Sequence, residues 1–152
     1  MAFERSHVIC FGNELHGDDG FGPAVFAALD ARQLPDSVRL FRADVSGLSA
    51  INCFANCERA LVIDALQGYG PAGSVHALNR DDVLVEQSLS GHGAGVGAVL
   101  ELLPSALPSL PDVDVIGAEV ERVAAFEPGL TPCVAAAVPL VVEQVVRWLN
   151  ND

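Results

Sequence analysis

Residues 7–22 read HVICFGNELHGDDGFG, and in this stretch a short apolar run leads directly into a glycine-rich loop. The run HVICF (7–11) is typical of a buried strand, and the apolar residues after the loop recur at helical spacing. The stretch therefore predicts a strand, a loop and a helix in that order. Glycine-rich loops at this position usually hold phosphate at the helix N-terminus. This loop, however, carries three carboxylates, Glu14, Asp18 and Asp19.

The residue types in the loop suit a cation better than an anion. Its glycines do not follow the GxGxxG spacing of dinucleotide-binding loops, and no Lys or Arg lies within it. A pyrophosphate would meet the carboxylates at close range, and that repulsion exceeds the gain of about 1 kcal/mol that a helix dipole provides. The loop is therefore predicted to hold a positively charged ligand.

Beyond this unit, apolar strands and helical segments alternate along the chain. Strands are predicted at 38–44, 60–65, 74–79 and 112–120, and helices at 20–34, 46–59, 91–107 and 131–150. The connection between the strands 60–65 and 74–79 is too short for a helical crossover, so this pair is expected to be antiparallel. The pattern predicts an α/β fold with three layers, in which helices cover both faces of a twisted, mostly parallel sheet of about five strands. Residues 1–152 are expected to form a single domain.

The C-terminal segment TPCVAAAVPLVVEQVVRWLN (131–150) predicts a long amphipathic helix. Thr131 and Pro132 fit the N-cap and the first helical position, and Pro139 predicts a kink or a division into two helices. The longest apolar run, CVAAAVPLVV (133–142), is too short to span a bilayer. The apolar stripe of the predicted helix consists of Val134, Val138, Val141, Val145 and Leu149.

Composition excludes several classes of function. The chain has 152 residues, of which 51% are hydrophobic and 18% charged, and this suits a globular domain. The formal net charge is −12 with only eight Lys and Arg, so nucleic acid and an anionic membrane are not expected partners. No signal peptide is predicted, and a cytoplasmic monomer is expected. No CxxC pair occurs, so a zinc site is not expected among Cys10, Cys53, Cys57 and Cys133.

Further candidate ligands fall at the same edge of the predicted sheet. Ligands of parallel sheets gather at the carboxyl ends of the strands. The carboxylate loop leaves the first strand there, Asp44 ends the second, and Asp64 ends the third, within VIDALQG. His92 lies in SGHGAGVG, in the turn that opens a helix. Two carboxylates and one imidazole form a ligand set for a divalent transition metal such as nickel or zinc.

Each of these residues also has a purely structural explanation. Asp19 could cap the helix that follows the loop, although a cap explains one loop carboxylate and not three. Asp64 could cap a turn, and His92 could stabilise the turn in which it lies. The remaining histidines have no comparable context and are predicted to be surface or packing residues; they are His7, His16 and His76.

Five stretches of the chain resemble the nickel–iron hydrogenase maturation endopeptidases, in order and with matching spacing. The likeness covers nearly the whole chain, and the HGAGVG form is most similar to the branch that serves bidirectional or soluble NAD-linked hydrogenases. The five stretches are GNELHGDDGFG (12–22), VIDALQG (62–68), SGHGAGVGAVL (90–100), GAEVE (117–121) and GLTP (129–132).

The resemblance implies an endopeptidase that removes the C-terminal extension of a hydrogenase large-subunit precursor once nickel has been inserted. The family folds as a five-stranded twisted sheet flanked by helices, in agreement with the pattern above. The family has a metal site that recognises nickel on the substrate. Its ligands are a carboxylate of the first loop, an Asp that ends the third strand and a His of a later loop. Matched residue by residue, these are Asp19, Asp64 and His92, the candidate catalytic and metal-binding residues. Some relatives carry Glu at the position of Asp19.

The resemblance also implies that the precursor presents the nickel, and that zinc or cadmium could replace it in crystals. No GxSxG motif or supported Cys–His pair occurs, so a metal-assisted hydrolysis is favoured. A pair of aspartates formed by Asp19 and Asp64 is the alternative mechanism. Two other functions stay open: a non-catalytic metal-sensing chaperone for the precursor and, less favoured, a nucleotide- or phosphate-binding domain.

Overall fold

The structure, a computed structural model, describes residues 5–43, 49–83 and 95–151. The strands within this part of the chain are β1 (Ser6–Phe11), β2 (Val38–Ala43), β3 (Arg59–Leu66), β4 (Val75–Asn79) and β5 (Asp112–Glu119). The helices are α1 (Phe21–Asp30), α2 (Ser49–Asn52), α3 (Val96–Ala106) and α4 (Pro132–Asn150), and a short 3-10 helix, Gly17–Gly20, precedes α1. Residues 80–83 are also helical, up to the limit of the described range.

The five strands form one sheet in the order β2-β1-β3-β5-β4. All neighbouring pairs are parallel except β4 and β5, which are antiparallel. The predicted α/β fold with a mostly parallel five-stranded sheet is confirmed. The antiparallel orientation expected from the short connection after β3 is also confirmed, although β4 pairs with β5 and not with β3 itself.

Helices cover both faces of the sheet, because the side chains of the central strands alternate between two apolar clusters. On one face, Leu61 and Ile63 of β3 pack with α1 and α4. On the opposite face, Ala60 and Val62 pack with α2 and α3. The same alternation places Asp64 on the face covered by α2 and α3, at the carboxyl end of the strand.

Helix α4 is continuous over 19 residues, so the predicted division at Pro139 is wrong. It buries Val134, Val141 and Val145 of the predicted stripe against the sheet. By length and composition alone, α4 is long and apolar enough to cross a membrane, with a mean hydropathy of 1.4. The shortness of the apolar run 133–142 therefore does not exclude a membrane-spanning helix by itself. The core helix of a soluble protein meets the same criterion.

Two predicted helices are shorter in the structure. Residues 44–48 lie outside the described part of the chain, and the predicted helix 46–59 is represented only by α2. After α2 the chain continues in turns, and Asn56 adopts a left-handed backbone conformation with φ of 64° that a helix cannot contain. Helix α1 begins at Phe21 and ends at Asp30.

Candidate active site

The carboxylate loop and the end of β3 meet at the carboxyl edge of the sheet. Strand β1 lies between β2 and β3, so the loop that leaves β1 at Gly12 emerges beside the end of β3, where Asp64 lies. The 3-10 helix that carries Asp18 and Asp19 packs against β3. The predicted convergence of this loop with Asp64 is therefore observed.

The glycines of the loop serve close packing within the protein. Gly12 has a φ of 141°, and a Cβ atom at this position would overlap the backbone carbonyl oxygen of Asp19. A Cβ atom at Gly22 would overlap the carbonyl oxygen of Phe11, because the first turn of α1 lies directly on the end of β1. These positions need glycine whether or not a ligand binds.

The backbone N–H groups of the loop are also used within the protein. The N–H of Asp18 donates to Arg122 O at 2.9 Å, that of Gly17 donates to Glu127 O at 2.8 Å, and that of Asn13 donates to the Asp19 carboxylate at 2.9 Å. A phosphate loop instead presents its N–H groups to the ligand. The loop geometry therefore gives no support to the nucleotide- or phosphate-binding alternative.

The three loop carboxylates occupy three different environments. Glu14 is exposed and forms an ion pair with Arg42 at 3.1 Å, so a cationic group from β2 reaches a loop whose own sequence has none. Both partners are largely in water, and such a pair contributes little to stability. Glu14 is therefore a surface residue beside the site.

Asp18 is fully buried and fastens the loop to the segment that leads into α4. Its carboxylate accepts hydrogen bonds from the backbone N–H groups of Glu121, Arg122 and Thr131 at 2.7–2.9 Å, and from the Thr131 hydroxyl. Burial alone would raise the pKa of Asp18, but these hydrogen bonds outweigh burial and lower it. Asp18 is thus an ionised structural residue, and Thr131 directs its hydroxyl to Asp18 although it lies at the N-cap position of α4.

Asp19, the next residue, is half-buried and free of that network. Its Oδ2 atom accepts the N–H of Asn13 at 2.9 Å. Helix α1 has Gly20 at its N-cap position without a side-chain cap, so the structural reading of Asp19 as the cap of this helix is wrong. The side chain remains available to the site.

Asp64 faces Asp19 across the edge of the sheet. Burial raises the pKa of the Asp64 carboxyl well above its ordinary value, and the negative charge of Asp19 raises it further. A hydrogen bond from the N–H of Ala65 to Asp64 Oδ1, at 2.9 Å, acts in the opposite direction and lowers the pKa. Two carboxylates that repel each other in a poorly solvated position favour a proton or a cation between them.

The third predicted ligand, His92, lies outside the described residues, as does Asp44. Within residues 5–43, 49–83 and 95–151, no three His, Cys, Asp or Glu side chains are close enough to hold a metal ion together. The structure therefore brings Asp19 and Asp64 together and leaves the complete ligand set a prediction.

Two structural residues near the site were missed by sequence reasoning. Asp18 is one of them, and the signal that could have revealed it is the pair of consecutive aspartates before a helix. Glu119, in the GAEVE stretch, is 7% exposed and accepts the N–H groups of Gly68 and Tyr69 at 2.7 and 3.0 Å. It thereby holds the turn that follows the end of β3, a few residues beyond Asp64.

The other histidines and the buried cysteines have structural roles. His7 is buried with its Nδ1 atom 2.7 Å from Cys53 O, His16 contacts the Phe126 ring, and His76 lies 2.8 Å from the Ser74 hydroxyl. Burial raises the pKa of Cys10, and it raises that of Cys57 to about 11, so both side chains remain neutral thiols.

Comparisons with known proteins agree with this fold. Residues 23–148 match the sequence model of the family described as Hydrogenase maturation protease, HycI. The hydrogenase maturating endopeptidase HybD of Escherichia coli is 27% identical and superposes with a TM-score of 0.84, covering 96% of this chain and 92% of HybD. The hydrogenase 2 maturation peptidase of a Thaumarchaeota archaeon is 28% identical with a TM-score of 0.67, covering 97% of this chain and 99% of its own.

A curated relative extends the likeness to archaeal hydrogenase proteins. The coenzyme F420 hydrogenase subunit delta of Methanothermobacter thermautotrophicus is 28% identical over 147 residues, which cover 91% of this chain and 90% of the relative. The fold and these relatives define the class as an α/β peptidase of hydrogenase maturation. The chain belongs to the hydrogenase maturation protease family. It is an endopeptidase that processes a hydrogenase large-subunit precursor.

Proposed function

We propose that this endopeptidase removes the C-terminal extension only after nickel has been inserted, and that Asp19, Asp64 and His92 bind the nickel that the precursor presents. The observation that carries the proposal is the pairing of Asp19 with Asp64 at the carboxyl edge of the sheet. Their mutual repulsion disfavours the empty, doubly ionised pair and is relieved when a cation binds between them. A nickel-loaded precursor would therefore bind better than an empty one.

The position of His92 in the sequence supports its place in this ligand set. Residue 92 precedes α3 by only a few residues, and α3 leads through 107–111 into β5, which begins at the amino edge of the sheet. The first turn of α3 therefore lies towards the carboxyl edge, on the sheet face that Asp64 shares. A neutral imidazole supplied from this direction would complete a set of two carboxylates and one nitrogen.

Peptide hydrolysis at this edge requires a water molecule, a base and a proton donor. In the proposed reaction, water attacks the scissile carbonyl carbon, an ionised carboxylate of the pair accepts the water proton, and the leaving amine takes up a proton as the C–N bond breaks. The bound cation supplies polarisation of the carbonyl and orientation of the water. The raised pKa of Asp64 favours Asp64 as the group that holds a proton, which leaves Asp19 the role of the base. In the alternative mechanism, in which a pair of aspartates acts without a metal, the same two residues would serve as the acid and the base.

The finer features of the setting belong to the same proposal. The chain acts as a monomer in the cytoplasm, where the precursor is made. The HGAGVG stretch favours a bidirectional or soluble NAD-linked hydrogenase as its substrate. The charge of −12 is consistent with a protein partner and disfavours nucleic acid.

The test is intact-mass analysis of the nickel-loaded precursor after incubation with the protein. The expected result is one discrete loss of mass from the C-terminus with wild type, and none with Asp19→Asn, Asp64→Asn or His92→Ala. Asp112→Asn is the control, because Asp112 is an exposed aspartate at the amino edge of the sheet, away from the carboxylate loop. Full-speed cleavage by any of the three site variants would remove that residue from the mechanism, and stepwise loss of single residues would exclude an endopeptidase.

A further inference from the structure

Exposed apolar side chains lie on the loop that carries Asp19 and on the segment that is hydrogen-bonded to this loop. In the part of the chain that the structure describes, six large apolar side chains are exposed: Leu15, Leu102, Leu110, Val123, Phe126 and Leu140. Three of the six, Leu15, Val123 and Phe126, lie on the carboxylate loop and on the segment 121–131 that Asp18 fastens to it. We call these three residues the Phe126 patch. The concentration of exposed apolar side chains on two adjoining loops indicates a contact surface.

Phe126 is held in an unfavourable conformation with its ring in water. Its side chain is 81% exposed, and its φ of 60° lies in the left-handed region that bulky residues rarely adopt. The ring makes an edge-on aromatic contact with His16 at a centroid distance of 5.9 Å. Neither burial nor backbone preference explains a phenylalanine here, and strained residues of this kind cluster at functional sites.

Backbone hydrogen bonds fix the patch relative to Asp19. The segment 121–131 accepts the N–H groups of Gly17 and Asp18, and it donates three backbone N–H groups to the Asp18 carboxylate. Asp19 is the next residue in the chain. A molecule bound to the Phe126 patch would therefore be held at a defined distance from the paired carboxylates.

The surroundings of the patch have the composition of a protein-binding surface. Two exposed ion pairs, Arg122 with Glu127 and Arg42 with Glu14, lie on or beside the two loops. A groove of about 210 Å³ adjoins the loops and is lined mainly by small residues, including Gly17, Gly20, Ala24, Ala27 and Gly129. An aromatic anchor with charged residues around it is the usual arrangement of a recognition site for another protein.

We propose that the Phe126 patch binds an apolar segment of the hydrogenase large-subunit precursor, with Phe126 as the anchoring side chain. The inference rests on the proposed function and specifies how its substrate is recognised. The precursor is the occupant that the position favours, because hydrogen bonds join the segment that carries the patch to the loop of Asp19, where cleavage is proposed. A second copy of this chain on the same surface would obstruct that edge, and the charge of −12 disfavours an anionic membrane.

The test compares precursor cleavage by wild type, Phe126→Ala and the control Leu140→Ala, whose side chain is 58% exposed on α4. Loss of an anchoring aromatic is expected to raise KM by roughly tenfold or more while kcat changes much less. Leu140→Ala is expected to retain the wild-type KM. Phe126→Gly separates an effect on recognition from an effect on folding. Glycine relieves the left-handed backbone strain, so the Tm of this variant should not fall below that of wild type. Its KM should nevertheless rise as in Phe126→Ala.

Several results would overturn the inference. One is an unchanged KM in Phe126→Ala, and another is an equal rise of KM in Leu140→Ala. A third is a wild-type dimer that Phe126→Ala converts to a monomer, because this result would show that the patch binds a second copy of the chain. Calorimetric titration of precursor onto each protein needs no cleavage. If wild type binds the precursor without cutting it, the proposed function fails while weaker binding by Phe126→Ala still supports the patch.

Discussion

At the scale of single residues, the site depends on the division of labour between two adjacent aspartates. Asp18 is buried and surrounded by N–H donors, so it stays ionised and holds the loop in place. Asp19 projects towards Asp64, where the raised pKa of Asp64 reflects burial and the neighbouring charge. Of these two adjacent aspartates, Asp18 thus has a structural role, and Asp19 is the one proposed to take part in the chemistry.

Replacing Asp64 by Asn should abolish processing and stabilise the metal-free protein at neutral pH. Loss of a catalytic proton-transfer group lowers the rate by roughly 10²-fold or more. The pKa of Asp64 is higher in the folded protein than in the unfolded chain. The wild type therefore loses stability as the pH rises from the ordinary carboxyl pKa through the folded-state pKa. The variant has no carboxyl group at this position and does not lose stability in this way. Urea unfolding at several pH values measures the difference.

Asp112→Asn is the control for this prediction, because Asp112 is an exposed aspartate at the amino edge of the sheet. It should leave activity unchanged and change the free energy of unfolding by no more than about 0.5 kcal/mol. A lower free energy of unfolding for Asp64→Asn than for wild type at pH 7 would contradict the electrostatic description of the pair.

Replacing Asp18 by Asn should lower the free energy of unfolding by roughly 1.5–3 kcal/mol, because hydrogen bonds to a buried charged group are lost. The folded-state pKa of Asp18 is lowered, so its contribution is present above the ordinary carboxyl pKa and disappears as pH falls through the folded value. The difference between variant and wild type should therefore shrink below about pH 4. Denaturant titrations at neutral and acid pH measure both effects.

Glu14→Gln provides the comparison within the same loop, with an expected change inside about 0.5 kcal/mol. If Asp18→Asn proved as stable as Glu14→Gln at neutral pH, the buried network would not hold the loop.

The roles of these residues could be predicted only in part from the sequence. The loop composition indicated a cation site, and the end of an apolar strand indicated Asp64. The choice between Asp18 and Asp19 came from family resemblance, since nothing local distinguishes them. The distinction depends on Thr131, which lies 113 residues from Asp18 along the chain and donates to it. Contacts of that range are set by the complete fold.

At the scale of elements, strand β3 organises the molecule. It lies at the centre of the sheet, contributes to both apolar clusters and ends at Asp64. Its beginning is equally important, because the Arg59 guanidinium donates to the carbonyl oxygens of Leu149 and Asn151 at the C-terminus of α4. Arg59 also lies over the Trp148 ring at 4.0 Å. One strand therefore holds the end of the longest helix and carries Asp64, the proposed catalytic carboxylate.

Arg59→Ala should lower the free energy of unfolding by roughly 1–3 kcal/mol, because the last carbonyls of α4 lose a charged donor and Trp148 loses its cation–π partner. Arg59→Lys should recover only part of the loss, since an ammonium cannot reproduce the planar fork. Arg32→Ala is the control, because the Arg32 pair with Glu143 is exposed. Thermal and urea unfolding measure all three, and equal effects of Arg59→Ala and Arg32→Ala would contradict this role.

Most element positions followed from the sequence because buried parallel strands are short apolar runs between turn residues. The antiparallel β4 followed from the length of one connection. The strand order did not follow, since pairing of β3 with β5 depends on a crossover that no local pattern encodes. The helix predicted after β2 was also too long at its C-terminal end. The residues around Asn56 are compatible with a helix, but Asn56 itself adopts a left-handed backbone conformation that a helix cannot contain.

At the scale of the whole molecule, the acidic charge and the paired carboxylates favour a cationic feature on a protein substrate. The family fixes the activity as processing of the hydrogenase precursor, and the proposed nickel dependence explains why cutting would wait for metal insertion. According to this proposal, Asp19, Asp64 and His92 do not fill the coordination shell of the nickel ion. The remaining coordination positions are left for ligands of the precursor.

The measurement that tests nickel reading most directly is a pair of digests, one of nickel-loaded precursor and one of nickel-free precursor, followed by intact-mass spectrometry. The same protease preparation and the same time course are used for both. We expect a single C-terminal cleavage of the loaded precursor and nearly none of the nickel-free one, because only the loaded form brings a cation to Asp19 and Asp64. Equal cleavage of both precursors would contradict the nickel-reading proposal, even though the protein would remain a peptidase.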